Sequence, residues 1–449
     1  MHTEAKVSRS RSEAGDVPND PDGPGPRLRL CFASPRYHPF YSGAAVRFQR
    51  YFAGFRERGV DVEVCTATPD PAKAAAAGMS TGWEDLPAGT FLPPEEVEGI
   101  PVHRVRLPDH GGFRRAAGFA QAVVDHCRRD PRPPDVIQLF TPALTATPAL
   151  WKLRRMGIPI VATRTMMPSL PRNPLKRRLR RASMRIATRF TDCEVVGSGA
   201  MLKAFRELGF PGGIEVIPHG VDTARFRPPN GPREIGALRH ELGLPEGATV
   251  ALFVGAVTPR KGVHRLLEAW CHLAPVHPNL HVVVAGPRLD RTSPDHAAYH
   301  KRLKELARSS GARERLHFPG VVSRVEDYMR AADIFVFPSS REGMPNVVGE
   351  AMASGLPVLT CPFSGLSSEF GEPGKHYLLT DFEPRSISEE IDRLLTTPHR
   401  REEVGRDARA WAEAHLDVKR SIASYAELYF KTALKAQARS PRKPCAECS

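Results

Sequence analysis

Two glutamates separated by seven residues offer the clearest chemistry in the sequence: Glu342 and Glu350, which follow the apolar stretch Ile334–Phe337. Pro345 suits the start of a helix and Gly355 its end, so the pattern predicts a strand, a loop carrying Glu342 and a short helix carrying Glu350. Backbone N–H groups at such a helix start can bind phosphate, and the carboxylates can bind sugar hydroxyls and a ribose diol. Taken singly, each glutamate also fits an ordinary surface or helix position, so the strand–loop–helix context carries the interpretation.

A pair of cations forms the second candidate. Arg260-Lys261-Gly262 follows the apolar stretch Val250–Val254 and begins a helix. Two positive charges beside a helix N-terminus suit a diphosphate. The alternative is a solvated pair of cations in an exposed turn.

Strand-like and helix-like segments alternate along the chain, and these elements must position the candidate residues. Such alternation predicts parallel sheets covered by helices on both faces. At 449 residues the chain is too long for one ordinary core, and the segment Arg225–Pro232 has the composition of a linker. We therefore predict an α/β protein of two doubly wound parallel-sheet domains facing a central cleft, with ligands bound at the carboxyl ends of the strands.

Composition and charge narrow the function further. The formal net charge of +14 indicates anionic partners, such as phosphorylated substrates, an acidic membrane or nucleic acid. Because the sequence has no zinc-finger spacing and no aromatic signature of RNA binding, we predict no nucleic-acid partner. No apolar run is long enough to span a bilayer and residues 1–26 lack the apolar core of a signal peptide, which predicts a cytoplasmic location. We interpret the Cys-x-x-Cys pair of Cys445 and Cys448 as unstructured and non-functional.

The segment that contains Glu342 and Glu350 resembles the signature of retaining glycosyltransferases of family 4, which have the GT-B fold of two Rossmann-like domains. Further segments agree with that family in order: Val216–Asp222, Phe253–Gly255 with the Arg-Lys-Gly after it, and Phe318–Val321. The resemblance extends over nearly all of residues 28–430. It implies an N-terminal acceptor-side domain over 27–213, a C-terminal donor-binding domain over 214–405 and a helix over 406–436 that crosses back to the N-terminal domain. Outside these segments we predict disordered tails over 1–26, from its Ser, Asp, Pro and Arg content, and over 437–449.

The resemblance also implies roles for the candidate residues. Glu342 contacts the donor sugar, Glu350 the ribose, Lys261 with Arg260 the diphosphate, and backbone near Val322 the base of a nucleotide diphosphate-sugar. The other implied donor-side positions are Gly255, Gly343, Met344, Pro345, Asn346 and Val347. The reaction would retain the anomeric configuration, with the departing phosphate taking the acceptor proton. We expect no cofactor and no metal, since no Asp-x-Asp stands at a strand end and basic residues can stabilise the diphosphate.

The acceptor half departs from the family's pattern. Gly43 is alone where the family has two glycines, and Ala256 replaces a customary arginine. Members of the family commonly have a histidine at the position of Phe140. They often have another at the position of Thr165, which here has Arg164 beside it. Gly43, Phe140 and Arg164 are therefore weak acceptor-side candidates. The departures favour an unusual acceptor, either a lipid or a small molecule; the alternative is a catalytically silent subunit that binds sugar nucleotides.

The segment Arg172–Arg189 contains eight Arg or Lys residues and no acid. Its apolar residues recur at helical spacing, which predicts a helix with basic residues on its other faces. These apolar residues are Leu175, Leu179, Ala182, Ile186 and Phe190. One interpretation is a solvated cationic helix packed on the N-terminal domain. The other is a helix that binds an anionic membrane surface, on the inner face of the membrane.

Overall fold

The computed structural model describes residues 27–40, 42–69, 74–75, 82–108, 112–210, 212–288 and 294–439. The tail predicted over 1–26 lies outside the described residues, as do Cys445 and Cys448 and most of the tail predicted over 437–449. Within the described ranges the chain forms two α/β domains, each built on a mainly parallel sheet, as predicted.

Among the described residues, eight strands and five α-helices of the first domain have defined bounds. Its strands are β1 (Leu28–Ala33), β2 (Val60–Ala67), β3 (Glu95–Val97), β4 (Ile100–Val105), β5 (Val136–Phe140), β6 (Ile160–Arg164), β7 (Cys193–Val196) and β8 (Gly213–Val216). Its helices are α1 (Gly43–Glu57), α2 (Gly112–Arg129), α3 (Thr147–Arg155), α4 (Pro174–Thr188) and α5 (Gly199–Glu207). The sheet order is β3-β4-β2-β1-β5-β6-β7-β8, with only β3 antiparallel to its neighbour. The order reverses between β1 and β5, which opens a crevice at their carboxyl ends.

The second domain contains six parallel strands. These are β9 (Thr249–Val254), β10 (Leu280–Ala285), β11 (Leu316–Gly320), β12 (Ile334–Phe337), β13 (Val358–Thr360) and β14 (Leu378–Leu379), in the order β11-β10-β9-β12-β13-β14. Its helices are α6 (Pro232–Glu241), α7 (Val263–Leu273), α8 (Pro294–Ser309), α9 (Val325–Ala331), α10 (Asn346–Ala353), α11 (Pro384–Thr396) and α12 (Pro398–His415). Here the order reverses between β9 and β12, so the loops after these two strands define the second crevice.

The burial pattern explains why these segments form covered sheets. Every residue of β10 is buried, and so is every residue of β9 except Thr249. Near-continuous apolar strands of this kind are typical of parallel sheets with helices on both faces. In the first domain, α1 buries Phe48, Phe52 and Phe55 against the sheet, and the Ser42 side chain caps its first turn.

The C-terminal segment forms two helices where one was predicted. α12 packs in the core of the second domain, whereas the last helix, α13 (Val418–Arg439), packs Tyr425 and Tyr429 against α1 of the first. The break between them lies beside Val221, whose N–H donates to the Leu416 carbonyl at 2.7 Å and whose carbonyl accepts from the Val418 N–H at 2.9 Å. The crossing helix therefore begins at Val418, and the start predicted at residue 406 is wrong.

The first domain also extends beyond its predicted end at residue 213. β8 pairs in register with β7, from Cys193 opposite Gly213 to Val196 opposite Val216. β8 is short, begins with glycine and is only partly buried, so its sequence lacks the apolar pattern of the inner strands. The domain boundary consequently lies after Val216.

Candidate active site

Glu342, Lys261 and Arg260 meet in the crevice between the loops that follow β9 and β12. The Glu342 carboxylate lies 2.9 Å from the Lys261 ammonium and also pairs with the Arg260 guanidinium. Ser339 donates a hydrogen bond of 2.7 Å to the same carboxylate. Because Glu342 is only 5% exposed, these contacts hold its carboxylate in one orientation.

A tight turn brings Lys261 against β12. The turn Pro259–Lys261 ends on Gly262 at φ 76°, and a Cβ there would lie 2.1 Å from the Pro338 carbonyl oxygen, so only glycine fits. The Lys261 Nζ lies 4.8 Å from the centroid of the Phe337 ring. Burial lowers the pKa of the Lys261 ammonium, and the Glu342 carboxylate opposes that shift.

The start of α10 faces His219, a residue that sequence reasoning did not assign to the site. The His219 Nδ1 lies 2.9 Å from Asn346 Oδ1, and its backbone N–H donates to Met344 Sδ at 3.1 Å. Burial lowers the pKa of His219 well below its ordinary value, so its imidazole is neutral at neutral pH. The histidine thus orients Asn346, the first residue of the helix whose N-terminal N–H groups can bind phosphate.

The loop from Gly343 to Val347 lies against the first domain. A Cβ at Gly343 would lie 2.6 Å from the Thr165 carbonyl oxygen, and one at Gly197 would lie 3.0 Å from Met344 Cβ. The close approach requires both glycines. Pro345 is buried and Asn346 half-buried in the same loop, so the predicted donor-side residues here are brought together at the domain interface.

Two further predicted positions lie along the same edge of the second sheet. Gly255 directly follows β9 with φ 153°, a conformation that favours glycine, and donates its N–H to the Ala285 carbonyl at 2.9 Å. Val322 follows β11, two strands away from β9, and packs partly buried against the domain core. The residues predicted for diphosphate and base therefore follow one another across the sheet edge.

Glu350 pairs with a residue of the other domain. Its carboxylate lies 3.0 Å from the guanidinium of Arg50 in α1, and Glu350 is only 7% exposed. Burial raises the pKa of the Glu350 carboxyl, and the Arg50 charge opposes that rise. The second glutamate of the motif therefore links the two domains through an ion pair that the sequence did not indicate.

Arg47, one helical turn before Tyr51 on α1, is a buried cation with no ion-pair partner among the described residues. It is 3% exposed, and its Nε and Nη2 have no hydrogen-bond partner there. Its charge contributes to the low pKa of His219, which places it near the start of α10. A buried guanidinium without a counter-charge is unfavourable. Arg47 therefore contributes positive charge near the start of α10, whereas Ala256 contributes none.

The structure places the three residues predicted on the acceptor side in different environments. Arg164 ends β6 in a bidentate ion pair with Glu194, at 2.6 and 3.1 Å, and both side chains are 2% exposed. It stabilises the domain interior, so the structure does not support it as an acceptor-side residue. Phe140 packs against Phe48 with ring centroids 5.3 Å apart and also lines a large cavity. Gly43 begins α1 with open space where a Cβ would stand.

Cys31, Glu63 and His126 form a buried group whose side-chain donor atoms lie within 4.8 Å of one another. The Glu63 carboxylate, however, already pairs with His126 and with Arg29, each at 3.3 Å. Burial raises the pKa of the Cys31 thiol well above its usual value, so the thiol is protonated in the structure described. We interpret the group as an internal ionic cluster.

Helix α4 is exposed along most of its length. Leu175 and Leu179 are 66% and 61% exposed, and Ile186 is 43% exposed. These three residues do not pack on the first domain, whereas Ala187 and Thr188 in the last turn of the helix are buried, so the helix contacts the domain through that turn. Apolar and basic side chains of α4 face solvent together. Among the helices of the described ranges, none has the length and apolarity needed to cross a bilayer.

Two doubly wound domains that meet over a carboxylate, two cations and a helix N-terminus define a protein of the GT-B class. Two family profiles match the chain: "Glycosyl transferase 4-like domain" over residues 42–220 and "Glycosyl transferases group 1" over residues 234–411. Together they cover about four fifths of the chain. The chain therefore belongs to the family 4-type, group 1 glycosyltransferases.

Sequence relatives match over part of their length. D-inositol 3-phosphate glycosyltransferase 2 of Catenulispora acidiphila is 32% identical over 243 residues, covering 53% of this chain and 55% of the relative. The lipopolysaccharide core biosynthesis mannosyltransferase LpsB of Rhizobium meliloti is 34% identical over 152 residues, covering 34% of this chain and 41% of the relative. The chain thus spans about half the length of the curated relatives it matches.

Solved structures of similar fold cover nearly the whole chain. Sucrose-phosphate synthase of Thermosynechococcus elongatus has a TM-score of 0.71 at 20% identity, over 90% of this chain and 99% of that one. Anabaena HepE, solved in complex with UDP and glucose, has a TM-score of 0.69 at 21% identity, over 90% of this chain and 100% of that one. At these identities the similarity establishes the GT-B fold.

Proposed function

We propose that the protein transfers a sugar, with retention of anomeric configuration, from a nucleoside diphosphate-sugar to an acceptor held by the first domain. The observation that carries this proposal is the Glu342 carboxylate held between Lys261 and Arg260 beside the start of α10. Glu342 accepts hydrogen bonds from the donor sugar, Glu350 from the ribose, and backbone near Val322 contacts the base.

The cationic groups stabilise the leaving group. As the bond from the anomeric carbon to the diphosphate oxygen breaks, negative charge grows on the diphosphate. Lys261, Arg260 and the α10 N-terminus stabilise that charge from the second domain, and Arg47 does so from the first. We expect no metal requirement, because these groups supply the positive charge; a rate that falls on addition of a chelator would contradict this expectation.

The motif carboxylates support same-face attack rather than a covalent glycosyl-enzyme. Glu342 is held by two cations, and Glu350 is buried against Arg50. The acceptor oxygen therefore forms the new bond to the anomeric carbon on the face that the diphosphate leaves. The acceptor proton passes to a phosphate oxygen of the departing diphosphate, and domain closure excludes competing water.

The donor to test first is UDP-glucose, because HepE was solved in complexes with UDP and glucose and with UDP-glucose. The relatives' names specify D-inositol 3-phosphate and lipopolysaccharide core, so they do not agree on one acceptor.

The test is slow hydrolysis of UDP-glucose by the full chain, with the anomer of released glucose read by NMR at early times. Release of α-glucose supports retaining transfer. Release of β-glucose contradicts retention. Tight UDP binding by calorimetry without any turnover, across several sugar nucleotides, would instead identify a catalytically silent binding subunit.

The exposure of α4 supports a second element of function, which is docking on an anionic membrane. The apolar Leu175 and Leu179 and the basic residues around them are both accessible to a bilayer surface. A helix of this composition lies in the membrane interface, where anionic headgroups attract its cations. Such docking would bring the acceptor crevice to a lipid or lipid-linked acceptor.

A further inference from the structure

We infer that the acceptor is an anionic amphiphile, a molecule with a bulky apolar body that carries a phosphate or a carboxylate. This inference rests on the proposed function and identifies the substrate class of its acceptor side. The first domain contains a cavity of about 1160 Å³ at the carboxyl ends of β1, β2, β4 and β5. Pro287 and Val321 of the second domain also line it, so the cavity adjoins the cleft between the domains.

The size and walls of the cavity favour an apolar ligand body. Small-molecule sites enclose roughly 300–1,000 Å³, so this cavity exceeds what a sugar or a sugar phosphate fills. Its walls include Trp83, Leu107, Phe119, Val123 and Leu150, all buried. A purely polar acceptor would leave this apolar surface uncovered, whereas an alkyl, isoprenoid or aromatic body would cover it.

The charge of the cavity favours an anion. The described lining residues include no Asp or Glu. Four arginines line the cavity: Arg36, Arg104, Arg106 and Arg115. Arg104 is held by Glu95 and by the His38 carbonyl, and Arg115 donates to the Pro108 carbonyl at 2.6 Å. Arg36 and Arg115 therefore contribute positive charge that no carboxylate among the described lining residues offsets, and this charge attracts a phosphate or carboxylate.

Unpartnered polar atoms mark positions for oxygen atoms of the ligand. Trp83 is 6% exposed, and its indole N–H has no hydrogen-bond partner among the described residues. The Thr145 hydroxyl, also in the cavity lining, is buried without a partner in the same ranges. An indole N–H can only donate, so it requires an acceptor oxygen such as that of a phosphate, carboxylate or hydroxyl.

Exposed apolar residues stand next to lining residues of the cavity in the chain. Phe113 and Leu144 are 72% and 45% exposed, and each is the chain neighbour of a lining residue, Gly112 and Thr145 respectively. The turn that contains Leu144 packs against α4. A long apolar body can therefore extend from the cavity along the surface that presents Leu175 and Leu179.

Binding of decyl phosphate to the full chain tests the inference. Affinity is measured by calorimetry below the micellar concentration, with decyl maltoside as the neutral amphiphile and inorganic phosphate as the anion without a body. We expect decyl phosphate to bind at least about tenfold more tightly than either comparator. Equal affinity for decyl maltoside would overturn the requirement for charge, and equal affinity for inorganic phosphate would overturn the requirement for an apolar body.

Variants locate the binding. Arg36→Gln with Arg115→Gln should weaken decyl phosphate at least tenfold, and Ala116→Trp at the cavity wall should do the same by occupying space. The matched control neutralises Arg114 and Arg128. Both are exposed residues of α2, the helix that carries Arg115, and neither lines the cavity. Loss of affinity in the control equal to that in the cavity variant would overturn the assignment.

Two further measurements separate the outcomes. Binding to vesicles that contain phosphatidic acid, compared with binding of soluble decyl phosphate, distinguishes a lipid acceptor from a free one. Binding of either that depends on the cavity residues supports the inference. Binding of neither overturns it. UDP affinity of the same variants should be unchanged, because none of the changed residues is among those proposed to bind the donor. Intact UDP binding without any amphiphile binding would therefore reject the acceptor class and leave the proposed function standing.

Discussion

At the scale of single residues, the Glu342 carboxylate is the group on which the proposed transfer depends most directly. We expect Glu342→Gln to reduce kcat by at least about tenfold, or on the order of 1.4 kcal/mol, because an amide lacks the charge that pairs with Lys261. Steady-state rates with UDP-glucose measure the effect, and an unchanged thermal unfolding midpoint confirms the fold. A kcat within a factor of two of the parent's would show that Glu342 does not contact the reacting sugar.

Lys261 acts on the diphosphate rather than on the sugar. We expect Lys261→Ala to weaken UDP and UDP-glucose alike, by roughly 1.5–3 kcal/mol, since a charge-assisted hydrogen bond in a half-buried position is lost. Calorimetry measures both affinities, and Lys301→Ala, at an exposed position of the same domain, is the matched control. Unchanged affinities would mean that Arg260 and the helix N-terminus bind the diphosphate without Lys261.

Arg47 couples function to a loss of stability. We expect Arg47→Met to raise the stability of the ligand-free protein by about 1 kcal/mol, because a buried guanidinium without a counter-charge is replaced by an apolar side chain of similar length. The same variant should bind UDP more weakly. Thermal unfolding and calorimetry measure the two effects. A destabilised variant with unchanged UDP affinity would show that Arg47 is structural.

These residues differ in how far the sequence alone could reveal them. Glu342 and Lys261 stand directly after apolar strands, so their local context predicted a shared crevice, and the structure brings them to 2.9 Å. The Arg50–Glu350 pair joins residues 300 positions apart, and no local pattern indicates such a contact. Arg164 was placed wrongly because its partner Glu194 lies on the neighbouring strand, a pairing that becomes visible only with the sheet register.

At the scale of elements, the strands buried on both faces were predictable and the edges were not. β9 and β12 are continuous apolar runs bounded by turn residues, so their type and place follow from the sequence. β3, β8 and β14 are short edge strands whose pairing depends on the neighbour rather than on their own pattern. The same holds for the break between α12 and α13, which is set by hydrogen bonds to Val221.

Helix α4 allows a test of membrane docking. Neutralising Arg177, Arg178, Arg180 and Arg181 together should abolish binding to vesicles that contain anionic lipid, since each cation near such a surface contributes about 1 kcal/mol. Parent binding should also fall as salt rises, because the attraction is screened over roughly 8 Å at physiological ionic strength. Cosedimentation with the vesicles measures both effects.

The control for α4 is an equal change of charge elsewhere. Four exposed arginines of the second domain serve this purpose: Arg233, Arg308, Arg313 and Arg385. If both quadruple variants lose vesicle binding equally, attraction by net charge alone explains it and α4 is only a solvated face. A further loss on changing Leu175 and Leu179 to Ser would show that the apolar side chains enter the bilayer.

At the scale of the whole molecule, the contacts that join the two domains include paired backbone and the Arg50–Glu350 ion pair. Val221 and the segment at Leu416–Val418 pass between the domains side by side, so any closing motion must bend both together. The Arg50–Glu350 ion pair lies across the same interface and involves the carboxylate proposed to bind the ribose. The Glu350 side chain therefore takes part both in the proposed donor binding and in the contact between the domains.

This arrangement predicts how UDP affinity depends on pH. Burial raises the pKa of the Glu350 carboxyl and Arg50 opposes the rise, so in Arg50→Gln that pKa should rise further. As pH falls from 8 to 6, more of the variant's Glu350 becomes protonated. A protonated carboxyl accepts hydrogen bonds from the ribose hydroxyls less well than a carboxylate does. We expect the UDP affinity of Arg50→Gln, measured by calorimetry, to fall more steeply over this range than that of the parent, by about threefold or more.

Glu350→Gln is the matched control, because an amide at this position cannot titrate. Its UDP affinity should be weak at both pH values and should change no more than the parent's, whose residual pH dependence reflects the phosphate of UDP itself. The double variant should behave like Glu350→Gln, since Arg50 acts on affinity through that carboxylate. If Arg50→Gln and the parent show the same pH dependence, Arg50 does not control the charge of Glu350, and the ion pair serves only to hold the domains together.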